Sequence, residues 1–476
     1  MLPFLLLGCK SNKNIVDPTD NEEETGYIKE NVTIGFLCMA DSSFYPTLQS
    51  IITDFKEVEP KVTVNLYNPL GTGKYAMIEK TVISGFYNED YPDITQCYPD
   101  NVVKYLSKGY VVNIDKYLNN SEYGIASDSN DYIESYFDEG KGYSVEGTYS
   151  LPFCKSTEFL YYNADVLLGL DLSSVDSTIN EGKPLDASYL DNLSWEVLFE
   201  TLCPAIFTYN ESLPANEKIY VNDDKSGIVT YDSDENFFIT LANQYGYGYT
   251  SIKENGEGSV DFDNDGMKNL MKQFKGYRKK GYLQTRGTNN NEYVSSLFTS
   301  KKALFTISST ASNSYNYNRE NPFVIGAAKL PFAEGKNDKS INQGPSICIL
   351  DHHDENRSLA SYLFWKFMTN KENCSKWALK TGYIGIREST ATTEEYQKEL
   401  DITGVTDKYK ISVANNLKKI TEASANTFTT DVFRGSSNCR TNVGKLLTQC
   451  LLSADLDSEI DSLFKSYSDD AKNYLK

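Results

Sequence analysis

Histidine is nearly missing from this sequence. Its 476 residues include two, His352 and His353, side by side in DHHDEN. Imidazole-based catalysis and His-rich metal sites therefore have little to build on. No CxxC pair occurs among the nine cysteines, which removes zinc-ribbon and thioredoxin-like motifs. No apolar run approaches the ~20 residues that a membrane-spanning helix needs. Basic residues fall short of acidic ones, 46 against 66, for a net charge of −20. A surface that acidic repels phosphate backbones and anionic headgroups, so nucleic acid is not an expected partner.

Several local motifs also stop short. GTGKYA (71–76) half-matches a dinucleotide fingerprint, but no ribose-binding acid follows it. It fails as a phosphate loop, which needs Gly at Asn68 and Ser or Thr at Tyr75. It reads better as a tight turn into a helix at a cleft edge. DFDNDGMKNLMK (261–272) puts Asp261, Asp263, Asp265 and Gly266 at calcium-loop positions, yet Lys272 stands where a bidentate Glu is required. GPSIC (344–348) lacks the last Gly of a nucleophile elbow. No pattern singles out an acid pair for glycoside hydrolysis. Neither a cofactor nor a metal is expected.

What is present reads as a folded, exported chain. It is 40% apolar and 24% charged, a globular balance, and long enough for about two to four lobes. MLPFLLLGCK is a short apolar run ending in LLGC, which resembles a bacterial lipobox with Cys9 as the lipidated residue. Residues 1–9 read as a signal-peptide remnant and 10–31 as a polar tether. The other eight cysteines sit mostly in apolar runs and read as small core residues.

From Val32, VTIGFLCM predicts a strand. Phe44, Leu48, Ile51, Ile52 and Phe55 then share one helical face, with Ser42 as the expected cap. KVTVNLYN predicts a second strand, 74–87 a second helix, and PDITQCY a third strand. That alternation implies an α/β lobe with a mostly parallel sheet. Residues 164–260 read as polar loops, and the C-terminal third as helices with stripes such as Leu359, Tyr362, Leu363 and Phe367. The chain is 13% aromatic, and aromatic faces can stack on the C–H surfaces of sugar rings.

One stretch resists this reading. LPFCKSTEFLYYN (151–163) looks like a buried strand interrupted by Lys155, Ser156, Thr157 and Glu158.

Several segments in order resemble the family-1 extracellular solute-binding proteins of ABC importers. They include FKEVEPKVTVNLYN, YPDITQCYPDNVVKYLSKGYVVNIDKYL, LPFCKSTEFLYYNADVL, SWEVLFETL, ISSTASNSYNYN, FVIGAAKLPF, INQGPSICIL and WALKTGYIGIREST. The resemblance runs from about Val32 to the end. It implies a two-lobed α/β fold of the periplasmic-binding-protein type II, with a ligand cleft between lobes joined by crossing hinge strands. On that basis 32–153 plus 344–383 form the N-terminal lobe, and 154–343 plus 384–476 the C-terminal lobe. LPFCKSTEFLYYN becomes the first crossing, its polar middle expected at the open cleft. A monomer is implied that binds a carbohydrate-type small molecule, closes on it, and meets importer permease subunits at the membrane through its lipid anchor. No catalysis is implied.

The resemblance also marks residues. Asp41 and Ser42 follow the first strand; Tyr75 matches a cleft Tyr of the glycerophosphate-binding relatives; Tyr98 ends the third strand. Those relatives carry a Glu where Pro99 stands. Ser156 matches the cleft Ser of the first crossing. Asp234 and Phe237 in YDSDENFF match a polar or aromatic contact, and Ser308 or Ser309 another cleft Ser. Gly344 lies in the second crossing, where a bare backbone admits a ligand, and Tyr383 matches a ligand Tyr. Arg434 matches an Arg of the glycerophosphate binders, with Arg440 its competitor. The alternatives are the same fold with glycerol-3-phosphate or a glycerophosphodiester, an exported carbohydrate-active enzyme, and a surface lipoprotein that binds only a partner protein.

Overall fold

A computed structural model of the chain describes residues 26–39, 44–69 and 74–475. Cys9, Asp41 and Ser42 lie outside the described residues. Val32–Leu37 forms the first strand, Val62–Tyr67 the second and Ile94–Cys97 the third. All three are parallel, with Val32–Leu37 in the middle. Helices Tyr45–Val58 and Lys74–Asn88 make the connections. The first of them buries Leu48, Ile51 and Phe55 as its periodicity predicts. Its start differs from expectation: Phe44 occupies the cap position with no side-chain cap, and Pro46 in the first turn sets the boundary.

Two later strands complete this sheet. Ser346–Ile349 runs antiparallel to Ile94–Cys97 and to Leu151–Pro152. A second five-stranded sheet has the order Ile325–Ala328, Glu158–Asn163, Phe305–Ser309, Val229–Tyr231, Leu283–Thr285. Each sheet anchors its own apolar core, the first around Ile34, Phe36 and Trp365, the second around Trp195, Phe237 and Leu446.

The predicted loop region 164–260 in fact contains helices Cys203–Ser212 and Asp234–Tyr245. The latter buries Phe237, Phe238, Ile239, Leu241 and Ala242, so no apolar stripe marks it in the sequence. Helix Glu355–Met368 likewise buries Ala360, Phe364 and Trp365, while Leu359 and Phe367 of the predicted stripe are only partly buried. Lys371–Thr381 ends at Gly382, left-handed at φ +75°, as expected of a C-terminal glycine. Helices Ser436–Leu452 and Leu456–Asn473 close the chain. Eight cysteines among the described residues are buried free thiols.

Two segments pass between the sheets, and a third packs against them. Residues 153–157 link Leu151–Pro152 to Glu158–Asn163, and 342–345 link Ser340–Ile341 to Ser346–Ile349. The Cys154 N–H donates to Pro345 O at 3.0 Å. The third segment joins when the Ile384 N–H donates to Lys155 O at 2.7 Å. Beyond 383 the chain stays on the first lobe for a few residues: the Ile133 N–H donates to Ile386 O at 3.0 Å, and Arg387 pairs with Asp128 at 2.8 Å.

Candidate ligand cleft

A cavity of about 530 Å³ opens above these crossings. Its walls come from both lobes. Tyr98 sits at the C-terminal end of Ile94–Cys97, where open α/β sheets place ligands. Pro99 and Asp100 open helix Pro99–Leu106 beside it. Opposite, Ser436, Ser437, Arg440 and Thr441 line the cavity from the first turns of Ser436–Leu452, and the loop 429–432 brings Asp431. Ser437 stands near Asp100 from the other lobe. Burial pushes the Asp100 carboxyl up, and Lys104 and Ser437 pull it back.

The floor is built from the crossings. Lys155, Ser156, Thr157 and Glu158 are each at most 3% exposed. The expectation of an open polar stretch is thus corrected for Lys155, Thr157 and Glu158, whose polar side chains sit here because each has a buried partner. Lys155 pairs with Glu139, which also accepts from Ser346 Oγ at 2.9 Å. Thr157 Oγ1 donates to Ile341 O at 2.9 Å. Glu158 accepts from Tyr231 Oη and, at 2.7 Å, from Asn236 Nδ2. Ser156 itself reaches the cavity. Asn342 lines it too; its Oδ1 has no donor among the described residues.

Of the residues marked by the resemblance, Tyr98, Ser156, Ser309, Gly344 and Tyr383 line this cavity together. Tyr383 packs edge-on against Phe44, ring centres 5.7 Å apart. Gly344 has φ +87°, and a Cβ there would land on the Cys154 carbonyl oxygen. Its bare backbone is thus demanded by the neighbouring crossing.

Other expected residues stand elsewhere. Asp234 turns inward and accepts from Thr285 Oγ1 and the Gly287 N–H, both at 2.7 Å, and from Thr448 Oγ1 at 2.9 Å. Phe237 is fully buried and stacks on Tyr231. Ser308 accepts from Ser312 Oγ at 2.8 Å and Asn316 Nδ2 at 3.0 Å. Arg434 is exposed and does not line the cavity; its competitor Arg440 does. Tyr75 lies in helix Lys74–Asn88, with its side chain outside the described residues.

Sequence motifs missed Asp100, Glu139, Glu235, Tyr249 and Asp431, all in the cavity wall. Glu235 adjoins the predicted Asp234, and only the helix phase decides which one faces the cleft. Arg440 is the cavity's one cationic lining residue among the described residues. Burial pushes the Asp431 carboxyl up, with Asp261 adding repulsion.

Two lobes, two crossings and a cleft over the hinge define a two-lobed binding protein, a class in which hinge motion encloses a ligand. Residues 50–403 match the bacterial extracellular solute-binding proteins, and the chain belongs to this family. Among curated proteins, none matches it significantly. Solved structures share the fold. UgpB from Mycobacterium tuberculosis, in complex with glycerophosphocholine, has 16% identity and a TM-score of 0.66 over 93% of this chain and 98% of its own. The cyclic alpha-maltosyl-1,6-maltose binding protein from Arthrobacter globiformis has 12% identity and a TM-score of 0.67, covering 93% and 99%. The sugar-binding protein MalE from the phytopathogen Xanthomonas citri has 13% identity and a TM-score of 0.66, covering 93% and 98%. At such identities the likeness concerns the fold.

Proposed function

We propose that this protein captures a saccharide in the cleft and presents it, lobes closed, to the permease subunits of an ABC importer. The observation that carries this reading is the chemistry of the cavity wall. Tyr98, Tyr249 and Tyr383 bring aromatic rings, and Asp100, Glu235 and Asp431 bring acceptors. Carboxylates accept hydroxyl donors strongly, and rings stack on sugar C–H faces. A phosphorylated ligand is less well matched, because Arg440 stands alone among these acids and already donates to Asn236.

On this reading the protein binds without turnover, acts as a monomer, and is tethered through Cys9 and residues 10–31 to the outer face of the bacterial cytoplasmic membrane. Asp41, Ser42 and Tyr75 are kept as candidate ligand contacts on the strength of the family resemblance alone. No helix among the described residues is long and apolar enough to cross a membrane. The test is a thermal-shift and titration panel of malto-, cello- and xylo-oligosaccharides against glycerol-3-phosphate and glycerophosphocholine. A saccharide that raises the melting temperature and is recovered intact supports the proposal. Binding confined to the phosphorylated compounds, or products accumulating over hours, overturns it.

A further inference from the structure

Arg440 is held from beneath by residues that never reach the cavity surface. Its Nη2 donates to Asn236 Oδ1. The same amide donates from Nδ2 to Glu158 Oε1 at 2.7 Å, and the Tyr231 hydroxyl donates to Glu158 Oε2. Asn236 and Glu158 are buried, 4% and 1% exposed, and do not line the cavity. Arg440 does line it. The chain of contacts thus runs from the cleft wall, through one amide, to the first residue of the strand that follows the hinge crossing.

We infer that Asn236 and Glu158 are positioning residues that fix the Arg440 guanidinium in the cleft, and that they tie its placement to proton occupancy at Glu158. An amide can satisfy a guanidinium donor and a carboxylate acceptor together only in one orientation, Oδ1 toward Arg440 and Nδ2 toward Glu158. A charged Glu158 enforces that orientation. A protonated Glu158 has a donor of its own and no charge, so its hold on the amide weakens. Groups facing Glu158 from the packed elements are Tyr231, Asn236, Arg440 and Gln343. Its backbone partner across the strands is Ser309, another cavity residue. Burial pushes the carboxyl up to about 7, the other four groups pulling it down from a higher value, so the switch falls in the neutral range.

The role of Arg440 in holding a ligand rests on the saccharide-capture reading; the relay beneath it does not. The experiment therefore uses phenylglyoxal, an arginine-selective reagent, on the ligand-free full chain. Labelling at Arg440 is compared with exposed Arg434 by peptide mass spectrometry, so the reagent's own pH dependence cancels. In the wild type the Arg440/Arg434 ratio should rise several-fold as pH falls from 8.5 to 6. In Glu158→Gln it should be high and flat. Asn236→Ala should match Glu158→Gln, and circular dichroism of both variants checks that they are folded. A ratio that is the same in all three proteins, including no labelling of Arg440 at all, or that keeps its pH dependence in Glu158→Gln, overturns the relay. A saccharide found in the panel above should bind folded Asn236→Ala about tenfold more weakly. If the labelling behaves as described and no saccharide binds, the relay stands and the ligand reading falls.

Discussion

Ser156 and Gln343 exchange both of their backbone hydrogen bonds across the hinge. The Ser156 N–H donates to Gln343 O at 3.0 Å, and the Gln343 N–H returns to Ser156 O at 2.8 Å. The two residues sit in different crossings, and both line the cavity. The covalent links between the lobes are therefore also the floor of the cavity. A change in lobe angle must be absorbed at this pair and its neighbours, directly beneath a bound molecule.

Gly344 tests how tightly the crossings are packed. Its φ of +87° is a left-handed conformation that side chains resist, and a Cβ would meet the Cys154 carbonyl. Gly344→Ala should lower unfolding stability by roughly 3 kcal/mol or more, from strain and displacement together. Gly281, also left-handed at φ +78° but with open space around it, separates the two causes. Gly281→Ala should cost only about 1 kcal/mol. Urea denaturation of both variants measures the difference; equal losses would mean that the contact with Cys154 is unimportant.

Lys155 and Glu139 make a buried ion pair under the same floor, with the Lys155 side chain fully buried. Removing one partner strands the other's charge. Lys155→Met or Glu139→Gln should each destabilise by about 3–5 kcal/mol, and the double variant by clearly less than their sum. Strict additivity in a double-mutant cycle would show that the two charges do not interact.

This hinge region also marks where the sequence stopped being readable. The first three strands follow from alternation and β-branched runs, and helix Tyr45–Val58 from its single apolar face. Helix Asp234–Tyr245 is buried on nearly every side, so periodicity had nothing to register. Ser156, Tyr98 and Tyr383 were reachable by motif because they sit at strand ends or crossings, where backbone geometry fixes direction. Glu235 was not, since one residue of helical phase sends Asp234 to Thr285 and Glu235 to the cleft. Lys155 and Glu158 look solvated in one dimension; their partners Glu139 and Tyr231 lie 16 and 73 residues away in the chain.

Glu158 predicts a pH slope in stability. Burial raises its carboxyl from the ordinary 4.5 to about 7 in the folded chain. The folded state therefore binds this proton more tightly than the unfolded one. Its contribution to stability is fully present below about pH 4.5 and is lost as pH rises through about 7. Across that window the loss is on the order of 3 kcal/mol. Glu158→Gln, which cannot ionise, should remove that part of the slope. Denaturant titrations from pH 4.5 to 8.5 on both proteins give the difference; parallel curves would rule out Glu158 as the titrating group.

Arg440 and Arg434 give the clearest contrast for ligand capture. They flank the start of one helix, six positions apart in the chain, and only Arg440 enters the cavity wall. Arg440 has its guanidinium oriented by Asn236, so little side-chain freedom remains to be lost when a ligand arrives. Arg440→Ala should weaken saccharide binding by about 1.5–3 kcal/mol, the loss expected of a charge-assisted hydrogen bond, or roughly 10- to 100-fold in Kd. Arg434→Ala should leave Kd within about twofold, since exposed side chains away from the site contribute little. Calorimetric titration of the two variants with the same saccharide decides it. Equal losses, or a loss confined to Arg434→Ala, would move the site away from the helix Ser436–Leu452 and out of the cavity described above.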